Sequence, residues 1–163
     1  MKNIVLIGMP GAGKSTVGVI LAKAKKKKFI DTDLLIQEKT GRHLQEILDK
    51  DGPAAFRTVE EETVLSHAFK NTVIATGGSV VFSERAMEQL KKEGVVVYLK
   101  ISFDEMEKRL RNITTRGIVL SRGETLRDMY NERVPLYEKY AAVTVECSDE
   151  DFEAVVANVI RKL

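Results

Sequence analysis

The sequence offers little material for redox or zinc chemistry. A single cysteine, Cys147, excludes an internal disulfide and a cysteine-built zinc site, and His43 and His67 belong to no ligand pattern. Neither sign of charge dominates, since 26 lysines and arginines face 24 acids over 163 residues, for a formal charge of +2. That balance, with no aromatic-basic stretch, excludes a general polyanion binder and leaves any phosphate preference to local clusters. Long hydrophobic runs are missing too. The apolar start, Asn3-Ile4-Val5-Leu6-Ile7, is too short to span a bilayer, lacks a small-residue cleavage site and stops at Gly8. A cytoplasmic, monomeric protein with neither a membrane nor a nucleic-acid partner is the expectation. No repeat, low-complexity tract or linker divides the chain, so one domain is expected over 1–163.

What is present alternates. Short runs rich in valine and isoleucine occur at 3–7, 29–33, 71–76, 94–100 and 142–146, and they are apolar on both faces. Such runs predict strands of a sheet covered on both sides. Amphipathic stretches separate them. Helices are predicted over 14–24, over 34–50 with a possible split at Gly41, and over 56–69. Ser83 caps 84–93, Ser102 and Glu105 form a capping box for 103–111, and acids open a last helix at 149–162. The fold class that follows is α/β, a three-layer sandwich with a five-stranded parallel sheet between helices. The one charge run, Lys25–Lys28, reads as the solvated end of the first helix. Cys147 reads as a small core residue, and Met87, Met106 and Met129 as helix packing.

Gly8-Met9-Pro10-Gly11-Ala12-Gly13-Lys14-Ser15 satisfies G-x-x-x-x-G-K-[ST] between a predicted strand and a predicted helix. Glycines let the main chain curl so that successive N–H groups aim at phosphate oxygens, and the helix tip adds its positive end. Gly11, Ala12, Gly13, Lys14, Ser15 and Thr16 are the candidate nucleotide contacts. Lys14 would reach the β- and γ-phosphates of ATP, and the Ser15 hydroxyl would help complete a Mg2+ shell. Asp31 and Asp33 stand two apart in the second predicted strand, so both are expected to leave one face at its carboxyl end, where open sheets bind ligands.

Further along stand Phe56-Arg57 with Glu60, Gly77-Gly78, Arg116, and Arg133-Val134-Pro135-Leu136-Tyr137. Together with the phosphate loop and Asp31-Thr32-Asp33, their order and spacing resemble the shikimate kinase family, over nearly the whole chain. The resemblance implies a P-loop kinase with a lid at about 112–124 and a substrate-binding helical region at about 34–62. It implies transfer of the γ-phosphoryl of MgATP to a hydroxyl of a small carboxylate-bearing polyol. Asp31 would serve the metal with Ser15, and Asp33 would hold the reacting hydroxyl. Arg57 and Arg133 would clamp the acceptor carboxylate, a task suited to guanidinium forks. Gly77, Gly78 and Ser79 would face the acceptor, Arg116 would close the lid over ATP, and Arg109 would stack on adenine. On residues alone, Arg57 and Arg133 read as surface arginines, and Arg109 equally as a solvated residue of a charged helix.

The chain departs from the family in three places. Ser79 stands where a third glycine is usual, and a serine there is strained if the position needs a positive φ. Gly117-Ile118-Val119 replaces Pro-Leu-Leu after the lid arginine, which should loosen the lid. The lysine run replaces a segment that usually contains a glycine. These departures keep other acceptors in view, such as a sugar acid like gluconate, and a nucleotide-binding module with little kinase activity is the rival of another class. The complete Gly-Lys-Ser, both aspartates and Arg116 weigh against that rival.

Overall fold

Every side chain of Asn3–Ile7 is buried, as expected of a strand flanked by two others and covered on both faces. A computed structural model describes residues 2–111, 123–148 and 151–163. It contains five strands: β1 (Asn3–Ile7), β2 (Lys28–Asp31), β3 (Thr72–Ala75), β4 (Gly94–Lys100) and β5 (Val143–Glu146). They form one sheet in the order β2-β3-β1-β4-β5, with every pairing parallel. Val5 pairs with Ile74 on one side and Val96 on the other, which fixes the central register. The α/β expectation holds. Asn3 is the one polar side chain of the central strand, and both ends of its amide are used: Nδ2 donates to Phe69 O and Oδ1 accepts from Thr72 N–H.

The helices are α1 (Lys14–Lys25), α2 (Thr32–Thr40), α3 (Leu44–Ser66), α4 (Glu84–Glu93), α5 (Phe103–Arg111), α6 (Leu126–Tyr140) and α7 (Phe152–Lys162). Their starts follow their side chains. Ser83 Oγ accepts from Ala86 N–H, Asp151 accepts from Ala154 N–H, and Thr125 and Asp128 cap α6 reciprocally. At Ser102 only half of the expected box forms. The hydroxyl takes Glu105 N–H, but the Glu105 carboxylate is engaged by Arg109 and Ser102 N–H goes to Ser148.

Some predicted boundaries move, each for a local reason. The second strand ends at Asp31 rather than 33, because the Asp31 side chain accepts Asp33 N–H and so caps α2. The possible split at Gly41 is present, since α2 closes there, but the second part joins the helix expected at 56–69: α3 runs from Leu44 to Ser66 with a break at Gly52. Pro53 follows the break, where its missing N–H costs nothing. His43 and His67 therefore flank α3 rather than lie on its face. Helix α6 was not among the expected helices, and it carries Pro135 in its interior. The lysine run ends α1 as expected, with Lys26 in the left-handed region at φ 55° and Lys27 N–H donating to Ala22 O.

One apolar core spans both faces of the sheet and includes Leu6, Val17, Met87, Met106, Met129, Tyr137 and Cys147. A smaller cluster of Ile36, Ile47 and Phe56 joins α2 to α3 and holds α3 over the carboxyl end of the sheet. At roughly 1.5–3 kcal/mol per buried large apolar side chain, such clusters fix the walls of whatever lies above the strands. Among the described residues no helix is long and apolar enough to cross a membrane.

Candidate active site

The turn from β1 to α1 is built for an anion. Gly11 and Gly13 lie at φ 83° and 94°, and Gly13 is the N-cap of α1. A side chain at Gly13 would be strained and would meet the Phe152 ring at 2.7 Å, so only glycine closes this loop. Lys14 is 8% exposed, and its Nζ folds back to Gly8 O at 2.6 Å and Met9 O at 3.0 Å. The ammonium thus sits over the loop's own carbonyls, beside the space the curled main chain encloses.

Ser15 begins the metal side. Its hydroxyl donates to Asp31 Oδ2 at 2.6 Å, while Asp31 Oδ1 accepts Asp33 N–H at 2.9 Å. Two hard oxygen donors thus meet at the edge of the loop, a set that suits Mg2+. Among the described residues no three His, Cys, Asp or Glu side chains cluster as a metal cage. The expectation that Asp31 and Asp33 share one face of a strand is corrected: Asp33 belongs to the first turn of α2. Both nonetheless line the cavity that the phosphate loop lines, because the capping bond turns the chain back over the strand end.

Across that cavity the chain narrows around Gly77. A Cβ there would lie 2.7 Å from Glu60 Oε2 and 2.8 Å from Asp33 Oδ1, so the missing side chain is what lets two carboxylates converge. Gly77 N–H is already donated to Thr32 Oγ1 at 3.3 Å. Gly78 allows a second approach. A Cβ there would stand 3.0 Å from both Arg133 Nη1 and Pro10 Cδ, and its carbonyl accepts from Tyr137 OH at 2.6 Å. Arg133 and Tyr137 are one turn apart on α6, 1% and 0% exposed, and they anchor that helix over the glycine pair. Burial pushes the Tyr137 phenol up to about 12, so it stays protonated and keeps donating.

Ser79 carries no strain. Its φ is −94°, so the expected penalty for serine does not arise. Its hydroxyl donates to Glu60 Oε1 at 2.7 Å. Glu60 is fully enclosed, and burial raises its carboxyl from 4.5 to about 7; the Ser79 bond, Arg133 and Lys14 pull it down, and Asp33 pushes it up. Arg57 sits over the Phe82 ring, with its Cζ 4.0 Å from the ring centre, and Arg133 approaches the same ring at 5.4 Å. The two arginines expected to act together therefore do converge, on a phenylalanine the sequence reading passed over. Glu60 was visible only as the last residue of F-R-x-x-E, whose spacing puts it on the Arg57 face of α3.

Arg109 is not a solvated helix residue. It donates to Gly11 O at 2.9 Å, Cys147 O at 3.1 Å and Glu105 Oε1 at 2.9 Å, bracing the phosphate loop from outside. Arg116, the altered Gly117-Ile118-Val119 and most of the expected lid lie outside the described residues.

Comparison with known proteins agrees with this geometry. A family model described as shikimate kinase matches residues 10–163. The chain belongs to the shikimate kinase family. A shikimate kinase of Thermodesulfovibrio yellowstonii is 42% identical over 142 residues, covering 85% of this chain and 82% of that one. One from Caldanaerobacter subterraneus is 37% identical, over 99% of this chain and 95% of its own. The solved Acinetobacter baumannii shikimate kinase, in complex with shikimate, superposes with a TM-score of 0.90 at 32% identity, over 99% of this chain and 92% of that one. As a member, this kinase is an ATP-dependent enzyme that works with Mg2+.

Proposed function

We propose that this kinase transfers the γ-phosphoryl group of ATP to a hydroxyl of shikimate, with the roles below assigned to its own residues. The reading is carried by one observation: Lys14, Ser15, Asp31, Asp33, Glu60 and Arg133 line one cavity at the carboxyl end of the sheet. The phosphate loop holds the β- and γ-phosphates with main-chain N–H groups, and Lys14 swings from the Gly8 and Met9 carbonyls onto their oxygens. Ser15 and Asp31 would hold the cation. Bound Mg2+ would supply charge neutralisation for the phosphoryl transfer.

Asp33 accepts the hydrogen bond of the attacking hydroxyl and aims its oxygen at the γ-phosphorus. As the new O–P bond forms, the bond to the ADP oxygen breaks, and the hydroxyl proton passes to Asp33 or to solvent. The transition state is loose, so orientation and charge neutralisation carry most of the rate. Arg57 and Arg133 bind the acceptor carboxylate, with Phe82 as their common support. Gly77, Gly78 and Ser79 wall the acceptor side. Arg109 stiffens the loop and offers its outer face to adenine, and Arg116 closes over the transferring group.

The deciding experiment is ADP release by the purified protein with shikimate, gluconate and nucleoside monophosphates in turn. Shikimate should give the highest kcat/KM; faster turnover of gluconate would overturn the acceptor assignment. A monomer is proposed, and sedimentation at assay concentration checks it. The single buried cysteine supports a reducing, cytoplasmic setting.

A further inference from the structure

Gly78 is hemmed in from two directions. A Cβ there would stand 3.0 Å from Pro10 Cδ of the phosphate loop and 3.0 Å from Arg133 Nη1 on α6. Gly78 and Arg133 both line the main cavity, and Tyr137 is not among its walls. Tyr137 nevertheless reaches the same peptide from behind, where its hydroxyl donates to Gly78 O at 2.6 Å. The Arg133 guanidinium, one turn earlier on the helix, acts on the Tyr137 oxygen by its charge and by a side-chain hydrogen bond. One phenol oxygen therefore accepts from an arginine of the cavity and donates to the main chain of the glycine pair. The ring is held independently of the hydroxyl. It is fully buried and stacks on Tyr98, with centres 5.2 Å apart.

The chemistry of these three groups sets their order. A carbonyl oxygen next to a guanidinium accepts from it unless another donor is there first, because a charged donor makes the stronger bond and an unmade bond is costly. Gly78 O is in that position, and the Tyr137 hydroxyl is the donor that is there first. We propose that Tyr137 is a positioning residue for the acceptor: its hydroxyl occupies the Gly78 carbonyl and fixes the Arg133 guanidinium, so that the outer N–H groups of the fork are kept for the carboxylate of the incoming acid. This rests on the reading of Arg133 as part of the acceptor clamp. A phenylalanine at position 137 keeps the ring on Tyr98 and the seat of α6, but it leaves the carbonyl to Arg133. The guanidinium then turns towards the main chain and away from the acceptor. The nucleotide contacts of Lys14 and Ser15 are untouched.

Steady-state kinetics with ATP and two acceptors, shikimate and its methyl ester, test it. Tyr137→Phe should raise the shikimate KM about tenfold and leave kcat and the ATP KM within about twofold. With the methyl ester, which brings no carboxylate to the clamp, Tyr137→Phe and wild type should have the same acceptor KM. In an Arg133→Ala background Tyr137→Phe should have no further effect on shikimate, since the arginine it aims is gone. A general loosening of the fold would raise the KM for both acceptors and for ATP, and that result overturns the proposal. So does an unchanged shikimate KM in Tyr137→Phe, or an equal rise with and without Arg133. Wild-type protein that turns over no shikimate removes the acceptor assignment and this inference together. Wild-type turnover with an indifferent Tyr137→Phe removes this inference alone.

Discussion

The two halves of the cavity are made by different means. The nucleotide half is a run of consecutive residues, Gly8 to Ser15, whose grip comes from main-chain N–H groups, left-handed glycines and a helix tip. The acceptor half is assembled from side chains on separate elements: Asp33 on α2, Arg57 and Glu60 on α3, Ser79 before the Val80–Phe82 turn, and Arg133 on α6. A main-chain site tolerates many neighbours but no change at its own glycines. A side-chain site depends on residues far apart in sequence, and each can be tuned without unfolding the other half. Substitutions in the first half should therefore act on phosphates, and substitutions in the second on the acceptor.

Lys14→Ala should break the first half most severely. It removes the cation at the β- and γ-phosphates and should lower kcat by about a thousandfold or more, read by ADP release. A loss below about tenfold would deprive Lys14 of that role. Arg133→Ala should fall on the other side of the division. If its charge-assisted pair contributes about 2–4 kcal/mol, the acceptor KM rises tens- to several-hundredfold while the ATP KM hardly moves. An equal rise in both constants would erase the distinction between the halves.

Glu60 sharpens the contrast through stability instead of rate. In the unfolded chain its carboxyl loses the proton near 4.5, while burial holds the proton on to about 7 in the folded protein. The unfolded state thus binds fewer protons between those values, so stability is full below 4.5 and falls as pH rises through 7. The shift corresponds to a loss of up to about 3 kcal/mol. Urea midpoints at pH 5 and pH 8 should show that decline in the wild type and a flatter response in Glu60→Gln; parallel declines would rule it out. The smallest effect is expected far from both halves. Lys26 holds a left-handed φ that costs a non-glycine residue about 1 kcal/mol, so Lys26→Gly should raise thermal stability by roughly that amount and leave both KM values unchanged.

The nucleotide half could be read residue by residue, because a phosphate loop is local: the strand, the glycines, Lys14 and Ser15 are neighbours in sequence. The acceptor half could be read only in part. Asp31 and Asp33 reached the right cavity by a different route from the one expected, since a side-chain cap ended the strand two residues early. Arg57 and Arg133 carried no mark of partnership beyond the family resemblance, because the Phe82 ring that brings them together belongs to a third segment. Glu60 looked like any acid on a helix. Its burial follows from the seating of α3 by Ile36, Ile47 and Phe56, which no local pattern reports.

By itself the sequence determined the parallel sheet, the alternation of strands with helices, and the loop that curls around phosphate. These depend on periodicity and on the φ angles glycine permits, and both are properties of short stretches of chain. Only the tertiary structure decided which charges are buried together, which hydroxyl holds Glu60, and which ring supports Arg57. Those are distances between residues that the chain brings together only once its core has closed.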